Sequence, residues 1–481
     1  MKINIKKILS TTLAAVVLLT ASAVYNTGTA AASSMPEYIR IGLKYGSSST
    51  SEYQIAFDSG LRLGVGSNDG FTELASFPDV KQVTLRLEGG VVQVLGVTSS
   101  GSTLQLNQDQ AGANCLMPYS DNTGGHVTFN GSTYRGGILF NVTSGSLTII
   151  NLLSVEDYLY GVINAELSRT YPAEALKTQA VAARSYAICN LGNHKSYGFD
   201  LCSTTHCQVY KGVSDEYPET IQAVDETKGE TIQYDGKTVS AFFYKNSGGY
   251  TLNSQDVWGG NVGYLKAVKD EYSPVYPWSQ TYTFAELSSK LSAAGCSVGT
   301  VTNVAITGRN QSGAVGTIQF SGTGGTTTLQ KDKIRTVLGS TAIKSTMFTI
   351  SAEGSAQPNV NTNNDANTGK AYVLPQSRTT ASQLPDSVYA INSSGTTRQA
   401  DIDSLYVYST SGVKPLKDSS GSSQQPLNPS TESVSGGTVT FTGYGYGHGV
   451  GLPQDSAVEM AKKGFTYDEI LQYYYTDITI D

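Results

Sequence analysis

Charge is scarce in this chain. Only 15% of its 481 residues are Asp, Glu, Lys or Arg, and they leave a formal net charge of −7. Nucleic-acid partners need a basic footprint, so that class is excluded. The same balance rules out attraction to anionic wall polymers through bulk electrostatics. Long hydrophobic runs are absent beyond Val24, so no second membrane span is expected. Histidine (4) and tryptophan (2) are few. No H-E-x-x-H pattern accompanies the histidines, which speaks against a zinc hydrolase of that type. The glycine-rich run Gly443–Gly451 gives no register of G-x-G-x-x-G, which excludes a dinucleotide fingerprint.

Glycine (51) and tyrosine (30) are abundant instead. Low charge with many Gly, Ser, Thr and Tyr suits an exported β-rich chain, and tyrosine rings offer faces for sugar stacking. The first seven residues are basic, Ile8 to Val24 are apolar or small, and small residues crowd Ala21–Ala23 and Ala30–Ser33. Residues 1–33 are therefore expected to be a secretory signal peptide. An uncleaved anchor is the alternative, and it would be the chain's one attachment to a membrane. The mature protein is expected outside the cytoplasmic membrane. Five cysteines, an odd number, cannot all pair within one exported chain.

Alternating segments predict an N-terminal β-rich region over residues 36–115: Tyr38–Leu43, Gln54–Phe57, Leu61–Val65, Val83–Leu87 and Val91–Leu95. A second β stretch follows at His126–Phe129, Gly137–Asn141 and Leu147–Asn151. Pro172 then opens an Ala-rich helix, with Glu174 in its first turn, where a missing N–H and a negative charge both suit a helix start. Leu176, Ala180, Ala183 and Ala187 form a narrow stripe on that helix. Thr238–Tyr244 reads as a buried strand, and Phe284–Ala294 and Asp332–Leu338 as helices. Residues 351–437 change character. Gln357–Gly369 and Asp418–Gly437 are polar and of low complexity, while Tyr372–Leu374, Val388–Ile391 and Leu405–Tyr408 could form a small β element between them.

Glu166 ends the apolar run Val162–Ala165 just before the Ala-rich helix. A carboxyl group held there against apolar surface would be desolvated, its pKa raised, and a proton made available near neutral pH. A helix-flanking surface glutamate is the plainer alternative. The segment from Val162 through Pro172-Ala-Glu-Ala-Leu-Lys-Thr-Gln-Ala-Val-Ala-Ala-Arg-Ser-Tyr186 resembles the signature of the SpoIID/LytB family of bacterial cell-wall proteins. The passages Ser247-Gly-Gly-Tyr250, Val257-Trp-Gly-Gly260 and Gly443–Gln454 resemble later parts of the same pattern. The resemblance covers roughly Tyr134–Ile350 and Val439–Ile480. It implies an α+β, β-rich fold with a central signature helix: a catalytic domain in two parts, residues 126–350 and 438–481, with 351–437 inserted between them.

Sporulation members of that family are lytic transglycosylases, so the resemblance implies cleavage of MurNAc–GlcNAc bonds to 1,6-anhydro ends, with Glu166 as acid/base. It implies a preference for glycan strands stripped of their stem peptides. Relatives described as amidase enhancers imply the alternative, a non-catalytic wall-binding modifier with a wall amidase as partner. Leu167-Ser168 and Leu452-Pro453 depart from the Met-Pro and Met-Ser of the pattern. Arg184 is a candidate to stabilise negative charge or hold a sugar substituent, with an internal ion pair as the other reading. His448 is a candidate to meet substrate or orient Glu166, with a structural histidine in a crowded turn as the other. Gln179, Tyr186, Ser247, Gly248, Gly249 and Gln454 are candidate substrate contacts. Finally, Cys202, His206 and Cys207, with His194 upstream, have donors suited to a tetrahedral zinc site, and the run Asp200–Tyr210 resembles the zinc-bearing variant of the sporulation proteins. A Cys202–Cys207 disulfide or free thiols are the alternatives.

Overall fold

The structure, a computed structural model, describes residues 35–119, 125–352 and 433–481, with the backbone of six short strands between residues 372 and 415. The expected signal segment and the stretch Gln357–Gly369 lie outside the described residues. The fold is α+β and rich in strands, as expected.

Period-two burial builds the first core. Ile39 and Ile41, or Leu61 and Leu63, point one way and are fully buried, while Arg40 and Arg62 between them are partly open. These strands enter a seven-stranded sheet in the order Leu201–Cys202, Tyr38–Lys44, Ser146–Ser154, Gly137–Thr143, Cys115–Pro118, Leu61–Ser67 and Gly70–Phe77. A six-stranded sheet containing Glu52–Phe57, Gln82–Glu88 and Val91–Val97 packs on one face through Ile55, Phe57, Val83, Leu85, Leu116 and Phe140. The other face carries helices. Ser146–Ser154 is consequently buried on both sides over seven consecutive residues, Leu147 to Leu153.

This arrangement corrects the boundary expected near residue 115. Tyr38–Lys44 pairs antiparallel with Ser146–Ser154, and Cys115–Pro118 bridges Leu61–Ser67 to Gly137–Thr143. The N-terminal region and the start of the expected catalytic domain thus share one sheet. Strand signals are local, whereas strand partners are chosen across more than a hundred residues.

Helix α1 (Val155–Glu166) starts where Ser154 caps it, its Oγ accepting the Asp157 N–H at 3.1 Å, with Glu156 and Asp157 in the first turn. Val155, Tyr158, Leu159, Val162 and Ile163 recur at helical spacing and are buried against Ile39, Ile41 and Leu153. Helix α2 (Ala173–Cys189) has Pro172 at its N-cap, one position before the place the sequence suggested. Its Ala stripe lets it lie close to α1 and to helix α3 (Pro218–Glu226), and Leu176, Ala180, Ala183 and Ala187 are at most 1% exposed. Burying a leucine such as Leu176 stabilises the fold by roughly 1.5–3 kcal/mol. The opposite face of α2, with Val181 and Ala182, meets a third core formed by the helices Gln454–Lys462 and Tyr467–Tyr474. Of Thr238–Tyr244 only Val239, Ala241 and Tyr244 are buried, and ladder pairing is confined to Lys237–Thr238 and Phe243–Tyr244. The latter pairs in parallel with Leu452–Pro453.

Between Tyr276 and Gly445 the chain builds a unit with its own core. A four-stranded sheet (Gly325–Gln330, Val315–Gly322, Val301–Arg309, Ser433–Ser435) and a three-stranded one (Pro277–Thr283, Thr438–Tyr444, Phe348–Ala352) enclose Trp278, Leu287, Phe320, Leu338 and Phe441. The helices Phe284–Ala293 and Lys333–Leu338 fall close to their expected positions. Ala352 pairs with Val439, so the insertion leaves and re-enters between adjacent antiparallel strands. The described strands inside it pair as three hairpins, including Ser387–Ile391 with Thr397–Asp401 and Tyr406–Ser409 with Gly412–Pro415. Ser433–Ser435 corrects the reading of Asp418–Gly437 as wholly unstructured: Val434 is buried in the unit's core.

Candidate functional site

Glu166 is the last residue of α1, and the cap of that helix decides its surroundings. The Leu167 N–H closes the final turn on Ile163 O at 2.8 Å, and Leu167 itself is buried. The carboxyl is thereby pressed toward the core instead of extending into water. Its Oε1 accepts the Val209 N–H at 3.4 Å. Gln454, first residue of the helix after the Gly443–Gly451 run, donates Nε2–H to the Glu166 carbonyl and to Gln179 Oε1, both at 3.3 Å. Burial holds the Glu166 carboxyl above its ordinary pKa, against the lowering effect of the Val209 N–H and the Gln454 amide. No cationic side chain is among these influences. Tyr186, partly buried beside it, is pushed up to about 12 by burial and by the nearby Cys207, Cys202 and Glu166. Gln179 Nε2 is buried and has no partner among the described residues.

The structure therefore brings Glu166, Gln179, Tyr186 and Gln454 into one neighbourhood and sends other candidates elsewhere. Arg184 is fully buried, with Nη2 2.7 Å from Glu156 Oε2 and Nε 3.0 Å from Oε1. Its remaining donors reach Glu230 O and Val224 O, at 3.1 and 3.2 Å. This is the internal ion pair, and it ties α1 to α2 and α3. Ser247 donates to Asp270 Oδ2 at 2.5 Å, where Ser456 Oγ also donates; Tyr474 Oη–H and the Tyr272 N–H occupy Oδ1. Ser247 is thus spent on a buried polar cluster around a carboxylate that the sequence did not single out. Gly248 (φ 69°) lies against the Tyr444–Gly445 backbone, where a Cβ would come within 2.9 Å of the Tyr444 carbonyl. Gly249 accepts a turn conformation at φ 106°. These two glycines let the loops dock backbone to backbone.

His448 also turns inward. Its Nδ1 accepts the Val450 N–H and its Nε2–H donates to Phe243 O, both at 3.1 Å. Burial, with Arg335 nearby, lowers its pKa to about 4, outweighing the Phe243 hydrogen bond. Both ring nitrogens are occupied, one by the turn that carries the chain from Gly443 to Gln454 and the other by the Phe243 carbonyl of the neighbouring strand, so the geometry is that of the structural histidine.

Beside Glu166, four side chains converge. The ligand-type atoms of His194, Cys202, His206 and Cys207 all lie within 4.8 Å of one another. His194 Nε2 is 3.4 Å from Cys207 Sγ, and His206 Nδ1 is 3.5 Å from Cys207 Sγ and 3.7 Å from Cys202 Sγ. Zinc bonds of about 2.3 Å to sulfur and 2.0–2.1 Å to nitrogen in a tetrahedron imply N···S edges of roughly 3.6 Å. The donor set and the spacing fit that ion, with His194 as the fourth ligand. Cys202 and Cys207 are free thiols. Burial raises both thiols, but hydrogen bonds from Thr204, Cys207 and His206 lower Cys202, so the pair shares one readily lost proton, with Cys207 the thiol that keeps its own. Desolvation and His206 lower His194, keeping its imidazole neutral, the form that binds metal. His194 stacks on Phe199 at 4.8 Å, and Cys202 is anchored in the sheet by parallel pairing with Tyr38–Lys44. The loop runs directly into Val209, whose N–H faces Glu166, so a rigid cluster holds that donor in place.

The site thus combines a desolvated carboxyl at a helix end, held by amide donors, with a neighbouring Cys/His cluster on an α+β scaffold. Residues 143–234 match the SpoIID family model, described as stage II sporulation protein, so this segment, which holds α1, α2 and the Cys/His loop, is similar to that family. Residues 254–364 match a separate model described as a domain of unknown function, so the unit with its own core carries a second family relationship where the sequence reading had extended the first. The chain is 32% identical over 157 residues to the stage II sporulation protein D of Bacillus subtilis, covering 29% of this chain and 46% of that one. It is 29% identical over 208 residues to the amidase enhancer of the same organism, covering 43% and 27%. A protein of Brachyspira hyodysenteriae named as uncharacterized is 37% identical over 167 residues, covering 34% and 45%. The chain thus spans less than half the length of these curated relatives. No described helix is long and apolar enough to cross a membrane.

Proposed function

We propose that this protein is an exported lytic transglycosylase that cleaves MurNAc–GlcNAc bonds in peptidoglycan strands, with Glu166 as its acid/base. The observation that carries the reading is the isolation of Glu166: its pKa is raised by burial, and no second carboxylate shares its hydrogen-bond partners. Hydrolytic glycosidases generally need two carboxylates. A transglycosylase needs one, because the attacking C6 hydroxyl belongs to the same muramic residue and has a high effective molarity. Glu166 protonates the leaving glycosidic oxygen and then accepts the C6 proton as the 1,6-anhydro ring closes. Gln454 and the Val209 N–H hold the carboxyl in place, and Gln179 and Tyr186 border the sugar. Arg184 and His448 support the two backbones that meet at the site. His194, Cys202, His206 and Cys207 would hold a zinc ion, which supplies a fixed fold to the loop before Val209 and no open coordination position.

Digestion of peptide-free glycan strands by the purified chain, read by mass spectrometry beside Glu166→Gln, tests this. Anhydro-muramyl products that vanish in the variant are expected. Intact binding without products overturns it and favours the second reading, a wall-binding modifier of an amidase. That alternative is supported by the similarity to the amidase enhancer and by Leu167-Ser168 beside the carboxyl.

A further inference from the structure

We infer that the cleft beside Trp258 is a second saccharide-binding site, built for a sugar ring that carries a free carboxylate. The chain has two tryptophans. Trp278 is buried in the core of the 277–352 unit, but Trp258 is 43% exposed. A rigid, exposed indole offers an apolar face on which a ring can lie. Trp258 is rigid for three reasons. Its N–H closes the short turn Ser254–Val257 on Ser254 O at 2.8 Å. Its ring packs on Phe242 at 4.7 Å and on His448 at 5.2 Å.

A cleft of about 520 Å³ opens in front of it, lined by Val257, Gln330, Lys331, Asp332, Lys333 and Thr336 as well as the indole. The far wall is the turn after Gly325–Gln330. Lys331 takes a positive φ of 54° there and donates Nζ–H to Gln255 O at 2.8 Å, which clamps that wall to the Trp258 turn. Asp332 is neutralised by Arg335 at 3.1 Å. Lys333 is exposed and has no ion-pair partner among the described residues. The cleft therefore presents one aromatic face, one free ammonium group, and the amide of Gln330 and hydroxyl of Thr336 at its rim.

A pyranose matches this set. Its C–H face covers the indole, its hydroxyls meet Gln330 and Thr336, and an acidic substituent meets Lys333. Phe242 links the cleft to the Glu166 neighbourhood, because its other side meets Tyr186 at 6.0 Å. One glycan strand can therefore cover both places. The choice of ligand rests on the reading of Glu166 as acting on wall glycan. In such a strand the acidic group is the lactyl carboxylate of muramic acid, which is free only where the stem peptide has been removed. The site belongs to the segment matched as a domain of unknown function, and it gives that segment a role in strand recognition.

The test uses the mature chain in the Glu166→Gln background, so that turnover does not consume the ligand. Trp258 is the exposed one of two tryptophans, so emission excited beyond the tyrosine band reads the cleft while buried Trp278 reports that the fold is intact. Titration with peptide-free glycan strands should shift and saturate the emission, and Trp258→Phe should lose that signal and weaken binding roughly tenfold, a common loss for an aromatic anchor. Lys333→Ala should weaken binding of these acidic strands by about two- to fivefold, in a salt-dependent way, as expected of an exposed ion pair. Neutral chitotetraose should bind equally to Lys333→Ala and its parent. Strands that bind without changing emission, or that bind Trp258→Phe as tightly as the parent, overturn the inference. Product assays with chains retaining Glu166 keep the two proposals apart. An emission response without any anhydro product leaves the cleft standing and removes the enzyme, whereas products with an unresponsive Trp258 do the reverse.

Discussion

Protonating His448 should loosen the turn that carries Gln454 to Glu166. In the folded chain the imidazole is neutral, its Nδ1 accepting from Val450 and its Nε2–H donating to Phe243. A proton on Nδ1 would break the first of these bonds and place a charge near Arg335 in a desolvated position. The pKa falls from 6.5 to about 4, and each unit corresponds to about 1.4 kcal/mol, so protonation costs the fold about 3 kcal/mol. The unfolded chain binds this proton more readily than the folded one. Stability is therefore complete above pH 6.5, declines as the pH falls through the window from 6.5 to 4, and is lost to this extent below it. Histidine-selective NMR of the labelled chain reads the titration directly, and His448→Gln, which cannot take up the proton, isolates the energetic consequence. Denaturation curves of the two proteins should diverge over that window, with the parent losing about 3 kcal/mol relative to the variant. A His448 resonance that titrates near 6.5, or curves that stay parallel down to pH 4, would refute the reasoning.

Glu166→Gln should be more stable than the parent at neutral pH and no different in acid, as scored by thermal melts. The folded carboxyl is held above its ordinary pKa, so the folded state binds more protons and loses stability as pH rises through that window; glutamine escapes the loss. Arg184→Met should destabilise by about 3 kcal/mol in chemical denaturation, because it leaves Glu156 buried without its guanidinium; Glu156→Leu in the same chain should restore much of the loss. The purified chain should carry zinc in a 1:1 ratio by elemental analysis, and Cys202→Ser/Cys207→Ser should abolish it. Chelation of the parent should lower the melting temperature; a chain that is metal-free and equally stable would remove zinc from the account.

The elements of this protein were largely legible because they are local. The Ala-rich run after Pro172 can bury its stripe only as a helix, and Tyr38–Leu43 or Leu61–Val65 alternate with the period of a pleat. The four metal-type donors were legible for the same reason, since three of them lie within six residues, Cys202 to Cys207. His194 was harder to place, because the turn at residues 195–197 and its stacking on Phe199 are what fold it back. The shared seven-stranded sheet was not legible, because nothing in Tyr38–Lys44 names Ser146–Ser154 as its neighbour.

Roles of polar side chains depended most on tertiary structure. Arg184 and His448 were each open to a chemical or a structural reading, and both are used up by partners that only the fold brings near: Glu156 on α1 and the Phe243 carbonyl. Glu166 is left without an ion-pair partner, in surroundings that supply desolvation and weak donors but no cation. Gln454, 288 positions further along the chain, reaches it only after the intervening unit has folded aside. Composition and periodicity by themselves determined that this is a β-rich chain with one small-residue helix, a lone glutamate at a helix end and a Cys/His loop. The tertiary structure alone decided which charged groups are neutralised and which aromatic ring stays open. Hydrogen bonds and desolvation act over a few ångströms, and those distances are set by long-range packing.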